Sequence, residues 1–196
     1  MYFKLDCDEL PVFLKGAVVI SWQQKLRSLI NARESGLEEI AIGLETDVPL
    51  SQAEVNQYVS NSRLLVPGEL VELYRITDGL VIGTHFFIAG IFSTKHGLQR
   101  TLAQLNDLFG DIAGQCESHG VSLIIGSNQA SGDLAIDKEG TVVAIWPRDP
   151  READILASSL DEFLDNVCLG SGYLKVFPTD TLWFPLLEKI GLIEKS

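Results

Sequence analysis

The chain has 196 residues, 46% of them hydrophobic and 21% charged, a composition typical of one globular domain with a full apolar core. Its 27 acidic and 15 basic residues give a formal net charge of −12, which disfavours nucleic acid and anionic membranes as partners. Three cysteines at no motif spacing, Cys7, Cys116 and Cys168, argue against a disulfide framework. They predict three free thiols and a reducing, cytoplasmic location.

The N-terminal residues and the longest apolar run argue against export and membrane insertion. The first eleven residues, MYFKLDCDELP, are acidic where a secretory signal is basic. The run LVIGTHFFIAGIF, residues 80–92, is too short to span a bilayer and is interrupted by Thr84 and His85. The sequence therefore predicts a protein without a membrane partner.

The N-terminal third predicts one strand and two helices. Residues 12–20 (VFLKGAVVI) form an apolar run typical of a buried strand. Ser21 is a suitable N-cap for the helix WQQKLRSLINARES, whose apolar residues share one face and which ends at Gly36. A more polar helix follows Ser51.

The segment VPGELVELYRITDG predicts a third helix with one buried face. Pro67 fits a first helical turn, where the missing N–H would have had no helical partner. Leu70, Leu73 and Tyr74 recur at helical spacing, which is more typical of core packing than of a ligand site. Gly79 can close the helix in a left-handed conformation.

Residues 81–92, rich in Phe, Ile and Val, predict one buried strand that precedes a long helix. The apolar positions of that helix recur at spacings of four, three, four, three and four: Leu98, Leu102, Leu105, Phe109, Ile112 and Cys116. Gly110 and Gly114 predict a bend or an early end. A coiled coil or a cofactor box could use the same spacing, but so short a run favours an ordinary core face.

Residues 121–146 predict three short strands. VSLIIG (121–126) is an apolar strand that ends in a turn-rich connection. The runs DLAID (133–137) and TVVAIW (141–146) alternate and are joined around Gly140, which is a hairpin pattern.

Beyond the hairpin the chain predicts a loop and two helices. PRDPREAD (147–154) predicts the loop. Ser159 and Glu162 have the spacing of a capping box for the helix LDEFLDNVC, and a last short helix ends near Ile190. Together these elements predict one α+β domain over residues 1–196, with a mainly antiparallel mixed sheet flanked by helices.

No motif in the sequence indicates a catalytic residue, a cofactor or a metal. GSNQASGD, residues 126–133, resembles a phosphate-binding loop but lacks its lysine and precedes a strand. Asp133 and Asp137 could hold Ca²⁺, but carboxylates that form turns are the favoured interpretation. Asp133, directly after Gly132, is expected to accept backbone N–H bonds, so Asp133→Ala is expected to cost about 1–2 kcal/mol. His85 is expected to be a hydrogen-bonded core residue.

Three segments follow one another in an informative order: VPGELVELYRITDGL, then IIGSNQASGDLAIDKEGTVVAIWPRD, then SSLDEFLDNV. In this order they resemble the SUKH superfamily, the Smi/Knr-like domains, which carry L-P-x-x-(helix)-Y-x-x-x-N-G, I-G-x-x-x-x-G-D, a D-x-x-G hairpin and a helix similar to S-F-x-E-F-L. The matching residues are Pro67, Tyr74, Gly79, Ile125, Gly126, Gly132, Asp133, Asp137, Gly140, Trp146, Ser159, Leu160, Glu162, Phe163 and Leu164. Val66 and Asp78 depart from the pattern, where leucine and asparagine are common. The match covers about residues 50–168, so residues 1–45 and 171–196 are expected to be family-atypical extensions.

The resemblance implies a domain that binds a protein without catalysing a reaction. Many bacterial members look like immunity proteins that neutralise a cognate toxin of a polymorphic toxin system, often a nuclease. The chain is therefore expected to be an immunity-type protein with a basic protein partner. The alternative is an intracellular regulatory or scaffold module of the same fold with no toxin partner, as fungal relatives suggest. The oligomeric state is not indicated.

The residues expected to meet the partner lie around the acidic stretch after the hairpin. They are Trp146, Asp149, Glu152, Asp154, Asp161 and Asp165. Asp161 and Asp165 are four residues apart on a predicted helix and therefore share a side. Their carboxylates are expected to attract a basic partner at long range, whereas the alternative is an ordinary solvated helix face.

Overall fold

A computed structural model of the chain describes residues 20–83, 85–94, 100–113, 120–128, 132–146 and 149–193. The predicted strand at 12–20 falls outside the described residues except for Ile20, and so do Cys7 and Cys116.

The described strands form one seven-stranded sheet in which spatial order follows chain order. The strands are β1 (Leu44–Thr46), β2 (Leu80–Ile82), β3 (Phe86–Ile88), β4 (Val121–Asn128), β5 (Asp133–Asp137), β6 (Val142–Trp146) and β7 (Asp149–Ala157). Each strand pairs with the next in antiparallel fashion, so β1 and β7 are the two edges. The prediction of a single α+β domain is confirmed, and the sheet, predicted to be mainly antiparallel but mixed, is antiparallel in every described pair.

Helices in the described residues precede, interrupt and follow the sheet. They are α1 (Trp22–Glu34), α2 (Ile40–Gly43), α3 (Gln52–Asn61), α4 (Gly68–Tyr74), α5 (Leu102–Ala113), α6 (Leu160–Glu162), α7 (Tyr173–Val176) and α8 (Trp183–Lys189). A π-helical segment, Phe163–Cys168, continues directly from α6 and is called the π-segment below. In this part of the chain no helix is both long and apolar enough to cross a membrane.

Two helices begin where the sequence predicts, because serine caps hold their first turns. The Ser21 hydroxyl accepts the backbone N–H of Gln24, and the Gln24 side chain accepts the N–H of Ser21 at 3.0 Å. Ser51 and Glu54 form the same reciprocal pair, with the Glu54 carboxylate 2.8 Å from the Ser51 nitrogen. Each box satisfies two N–H groups that a helix start otherwise leaves without partners.

Two predictions of secondary structure are wrong: one strand over residues 81–92 and a loop over residues 147–154. The apolar run 81–92 is not one strand, because Gly83 turns the chain at a φ of 63° and lets β3 fold back onto β2. The segment 147–154 is not a loop throughout, because Asp149 begins β7. Its polar residues suit an edge strand, which needs pairing on one side only.

The core draws on almost the whole described chain. It runs from Trp22 to Leu192, and both faces of the sheet are covered, since Leu134 and its neighbour Ala135 are each fully buried. Cys168 is also buried and unbridged. Burial raises the pKa of its thiol well above the usual range.

The C-terminal segment, expected to be an extension, fills two gaps against the β1–β2 side of the sheet. The Trp183 ring lies where a Cβ on Gly43 would be, only 2.4 Å from that position. The Tyr173 hydroxyl lies 2.2 Å from the position of a Cβ on Gly83, and it donates to the Gly83 carbonyl at 2.8 Å. Both ends of the described chain therefore belong to one core.

Asp78 organises the chain after β3 from a buried position. Its carboxylate accepts the backbone N–H groups of Ile91, Phe92 and Ser93 at 2.5, 3.0 and 2.8 Å. Nearby, the buried Tyr74 hydroxyl donates to the Ala89 carbonyl at 2.9 Å. These side-chain bonds replace the strand pairing that ends at Ile88.

Candidate binding cleft at the sheet edge

A cleft of about 500 Å³ opens where the ends of β6 and β7 face the π-segment and α7. Its main polar and aromatic lining residues are Trp146, Asp154, Glu162, Asn166, Lys175 and Phe177. We call it the edge cleft. The volume lies within the range of about 300–1,000 Å³ that is ordinary for ligand sites.

Trp146 and Asp154 form one wall of the edge cleft and hold each other in place. Asp154 pairs with Ala144 in the sheet, two residues before Trp146, so both side chains project from the same face. The indole Nε1 of Trp146 donates to Asp154 Oδ2 at 2.5 Å. Trp146 is half-buried and Asp154 exposed, so ring and carboxylate are accessible from the cleft.

Glu162 lies on another wall and is oriented by the residues before α6. The hydroxyl and backbone N–H of Ser158 donate to Glu162 Oε2 at 2.5 and 2.9 Å, and these two bonds lower the pKa of the carboxyl. The Ser159 hydroxyl accepts the Glu162 N–H at 3.1 Å. Only this half of the predicted capping box is formed, since the Glu162 side chain bonds Ser158 instead of Ser159.

Each of these carboxylates keeps one oxygen available to a ligand. Asp154 Oδ1 and Glu162 Oε1 accept no hydrogen bond from any described residue. Lys175 is the one cationic side chain among the described lining residues, and its charge also favours ionised Glu162. The edge cleft therefore presents two carboxylate oxygens that the described residues leave open.

The π-segment forms the floor beside α7. The helix predicted over residues 160–168 is α-helical only in its first three residues and then widens into a π-helix. The Asn166 carbonyl accepts the N–H of Gly172 at 3.0 Å, and a Cβ on Gly172 would lie 2.9 Å from that carbonyl oxygen. π-Helical turns are rare and are frequent at functional sites.

An aromatic cluster supports the cleft from the core side. Phe177 stacks on His85 with ring centroids 4.1 Å apart, and His85 Nδ1 lies 2.6 Å from the Tyr173 hydroxyl. Phe86 packs edge-on against both Phe163 and Phe177. The prediction that His85 is hydrogen-bonded is confirmed, but His85 is half-buried and lies outside the core in which it was expected.

The structure divides the six residues expected to meet a partner. Trp146 and Asp154 line the edge cleft. Asp149 and Glu152 lie with Asp154 on the edge strand β7. Asp161 and Asp165 do not line the edge cleft, since residues of α1 bind both carboxylates. The prediction that the acidic residues form one continuous face is therefore wrong.

The contacts to α1 are specific. Trp22 Nε1 donates to Asp161 Oδ1 at 2.5 Å. Lys25 Nζ lies 2.9 Å from Asp165 Oδ1 and donates to the Asp165 carbonyl at 3.1 Å. These two carboxylates therefore attach α1 to the helix of the C-terminal half.

The predicted turn-capping role of Asp133 is wrong, because other side chains perform it. Asn128 Oδ1 accepts the Gly132 N–H at 2.9 Å, and Asp137 Oδ1 accepts the N–H groups of Glu139 and Thr141 at 3.0 and 2.7 Å. The carboxylate of Asp133 accepts no hydrogen bond from the described residues, and burial raises the pKa of this carboxyl. The left-handed φ of 91° at Gly140 completes the hairpin turn.

Asp133→Asn is expected to leave the free energy of unfolding at pH 7 unchanged or higher. Because the folded-state pKa is raised, Asp133 contributes stability below its unfolded pKa, near 3.8, and loses it as pH rises through the folded pKa. The substitution removes the buried charge at pH 7 and has no such benefit at pH 3.5. Urea unfolding at both pH values measures this, with the exposed Asp107→Asn as control. A loss of about 1–2 kcal/mol at pH 7 in Asp133→Ala, but not in Asp133→Asn, would restore the capping role.

Comparisons of the chain with protein-family models, with curated proteins and with solved structures found no match. Within the described ranges, no group of three or more His, Cys, Asp or Glu side chains is arranged to hold a metal ion. The fold and the edge cleft define an α+β protein with an antiparallel sheet and a cleft lined by two carboxylates at one sheet edge.

Proposed function

We propose that this chain is a non-catalytic, cytoplasmic protein-binding domain of the immunity type, which neutralises the cognate toxin of a polymorphic toxin system. The edge cleft is the observation that carries the proposal, because it brings two carboxylates and an indole together beside the β7 edge of the sheet. The order of the three sequence segments, which resembles the SUKH superfamily, supports the same class of function.

Charge supports a basic partner. The net charge of −12 attracts basic proteins over the distance that salt leaves unscreened, about 8–10 Å. A nuclease toxin carries basic residues where it meets phosphates, so a carboxylate-lined cleft could cover that surface and exclude the substrate. The toxin is then neutralised because its substrate-binding surface is covered, and no covalent bond is made or broken.

The test is the association rate between this protein and the basic toxin domain encoded beside its gene, measured against ionic strength. Asp154→Asn combined with Glu162→Gln is expected to slow association several-fold at low salt and much less at high salt. Both replacements keep an oxygen that can accept the bonds from Trp146 and Ser158, so folding is expected to be unchanged. Asp161 is excluded from the variant because it binds Trp22.

The matched control is Glu34→Gln combined with Glu38→Gln, which removes the same two charges. Both residues are exposed and follow one another closely around the end of α1, whose Arg33 contacts β1 at the opposite edge of the sheet. Equal rates for the two double variants at every salt concentration would show that only overall charge matters. Tight binding to a host regulator, with no binding to the toxin domain, would favour the scaffold alternative.

A further inference from the structure

We propose that the edge cleft is a receptor for an arginine side chain presented by a loop of the protein partner. This inference rests on the proposed function, since it specifies which chemical group of a basic partner the cleft takes.

The hydrogen-bonding groups of the cleft match a guanidinium. One oxygen of Asp154 and one of Glu162 are already engaged, by Trp146 and Ser158, and this fixes the direction of the remaining oxygen of each carboxylate. A guanidinium carries five N–H donors in a planar fork and no acceptor, so it can serve two carboxylates from different directions. Such charge-assisted bonds are about twice as strong as neutral ones.

The aromatic walls favour arginine over lysine. The half-buried indole of Trp146 and the ring of Phe177 both line the cleft. A planar guanidinium stacks on such rings and is more weakly hydrated than an ammonium, so it loses less on entering. The hydrogen bond to Asp154 already holds the indole in place. The ring therefore loses little further conformational entropy when a ligand binds.

Anionic and apolar occupants fit less well. Among the described residues that line the cleft there are two carboxylates and one ammonium, that of Lys175, so a phosphate or carboxylate ligand would meet net negative charge from them. The volume of about 500 Å³ admits a long side chain together with neighbouring residues of the loop that carries it. Residues 154–156 of the edge strand line the cleft, so the loop would approach along β7.

The experiment titrates the full chain with N-acetyl-arginine methylamide and follows the indole N–H resonance of Trp146, assigned with Trp146→Phe. Saturable shifts in the millimolar range are expected, with a weaker response to the lysine analogue and none to the citrulline analogue. Asp154→Asn combined with Glu162→Gln is expected to weaken binding about tenfold or more. Glu34→Gln combined with Glu38→Gln is the control that should bind as wild type. Lys175→Gln is expected to tighten binding because it removes the competing ammonium.

Equal responses to the arginine and citrulline analogues, or an unchanged affinity in the cleft variant, would overturn the arginine site. Its failure differs from failure of the proposed function. If the toxin domain binds wild type and cleft variant equally, the protein is still an immunity protein and the cleft is not its arginine receptor. If the arginine analogue binds but the toxin domain does not, the site stands and the immunity function falls.

Discussion

Gly126→Ala is expected to destabilise the protein by about 4 kcal/mol or more, a large fraction of the total stability of a typical domain, which is about 5–15 kcal/mol. Gly126 lies in β4 between β3 and β5, where it pairs with Ile88 and Leu134. A Cβ at this position would lie 1.8 Å from the carbonyl oxygen of Phe87. Because the clashing atom is backbone of the neighbouring strand, no change of rotamer relieves it, and β3 or β4 must move. Urea unfolding followed by far-ultraviolet circular dichroism measures the loss.

Gly68→Ala is the matched control for this prediction. It makes the same chemical change at the first residue of α4, where an added Cβ would meet no heavy atom within 4 Å apart from its chain neighbours and the backbone of its own helix. Alanine loses less conformational entropy than glycine in a helix, so this variant is expected to be unchanged or about 0.5–1 kcal/mol more stable. Equal unfolding midpoints for the two variants would mean that β3 and β4 do not approach as closely as described.

Asp78→Ala is expected to cost about 3–5 kcal/mol. The substitution leaves three backbone N–H groups, those of Ile91, Phe92 and Ser93, without their acceptor, and a buried donor left unpaired costs about 1–3 kcal/mol. Water entering the site recovers part of that loss, which keeps the expected cost below the sum of the three. Asp78→Asn is expected to cost less, since one oxygen remains to accept.

Chemical unfolding of both Asp78 variants at pH 7 provides the measurement, with the exposed Asp107→Ala as control. The control is expected to change stability by no more than about 0.5 kcal/mol. Equal stability of Asp78→Ala and Asp107→Ala would show that the N–H groups after β3 are satisfied without Asp78. A fully stable Asp78→Asn would show that the negative charge of Asp78 adds nothing to the stability that an amide oxygen provides.

Local chemistry made the helix starts predictable, whereas pairing between strands did not follow from local patterns. Ser21 and Ser51 cap their helices through residues three positions away, so a short window of sequence contains both partners. The turn at Gly83 lies inside an apolar run whose composition is the same on both sides. The start of β7 contains Asp, Pro, Arg and Glu, and only its pairing with β6 makes it a strand.

The candidate site was predictable in part for the same reason. Trp146 and Asp154 could be named because they flank one acidic stretch of sequence. Phe177 and Lys175 join them only through the π-segment and the tight turn at Gly172, which no periodicity indicates. Asp161 and Asp165 share a helix with Glu162 yet turn to α1, and that contact spans about 140 residues of sequence.

The placement of Trp183 against Gly43 and of Tyr173 against Gly83 has a consequence for synthesis on the ribosome. The strands emerge in the order in which they pair, so each new strand can add to a sheet that already exists. The rings that close the β1–β2 side emerge only after the last strand has been made. A nascent or prematurely terminated chain therefore exposes the apolar surface around Gly43 and Gly83, which proteases and chaperones recognise. Completion of translation is in this way coupled to maturation of the fold.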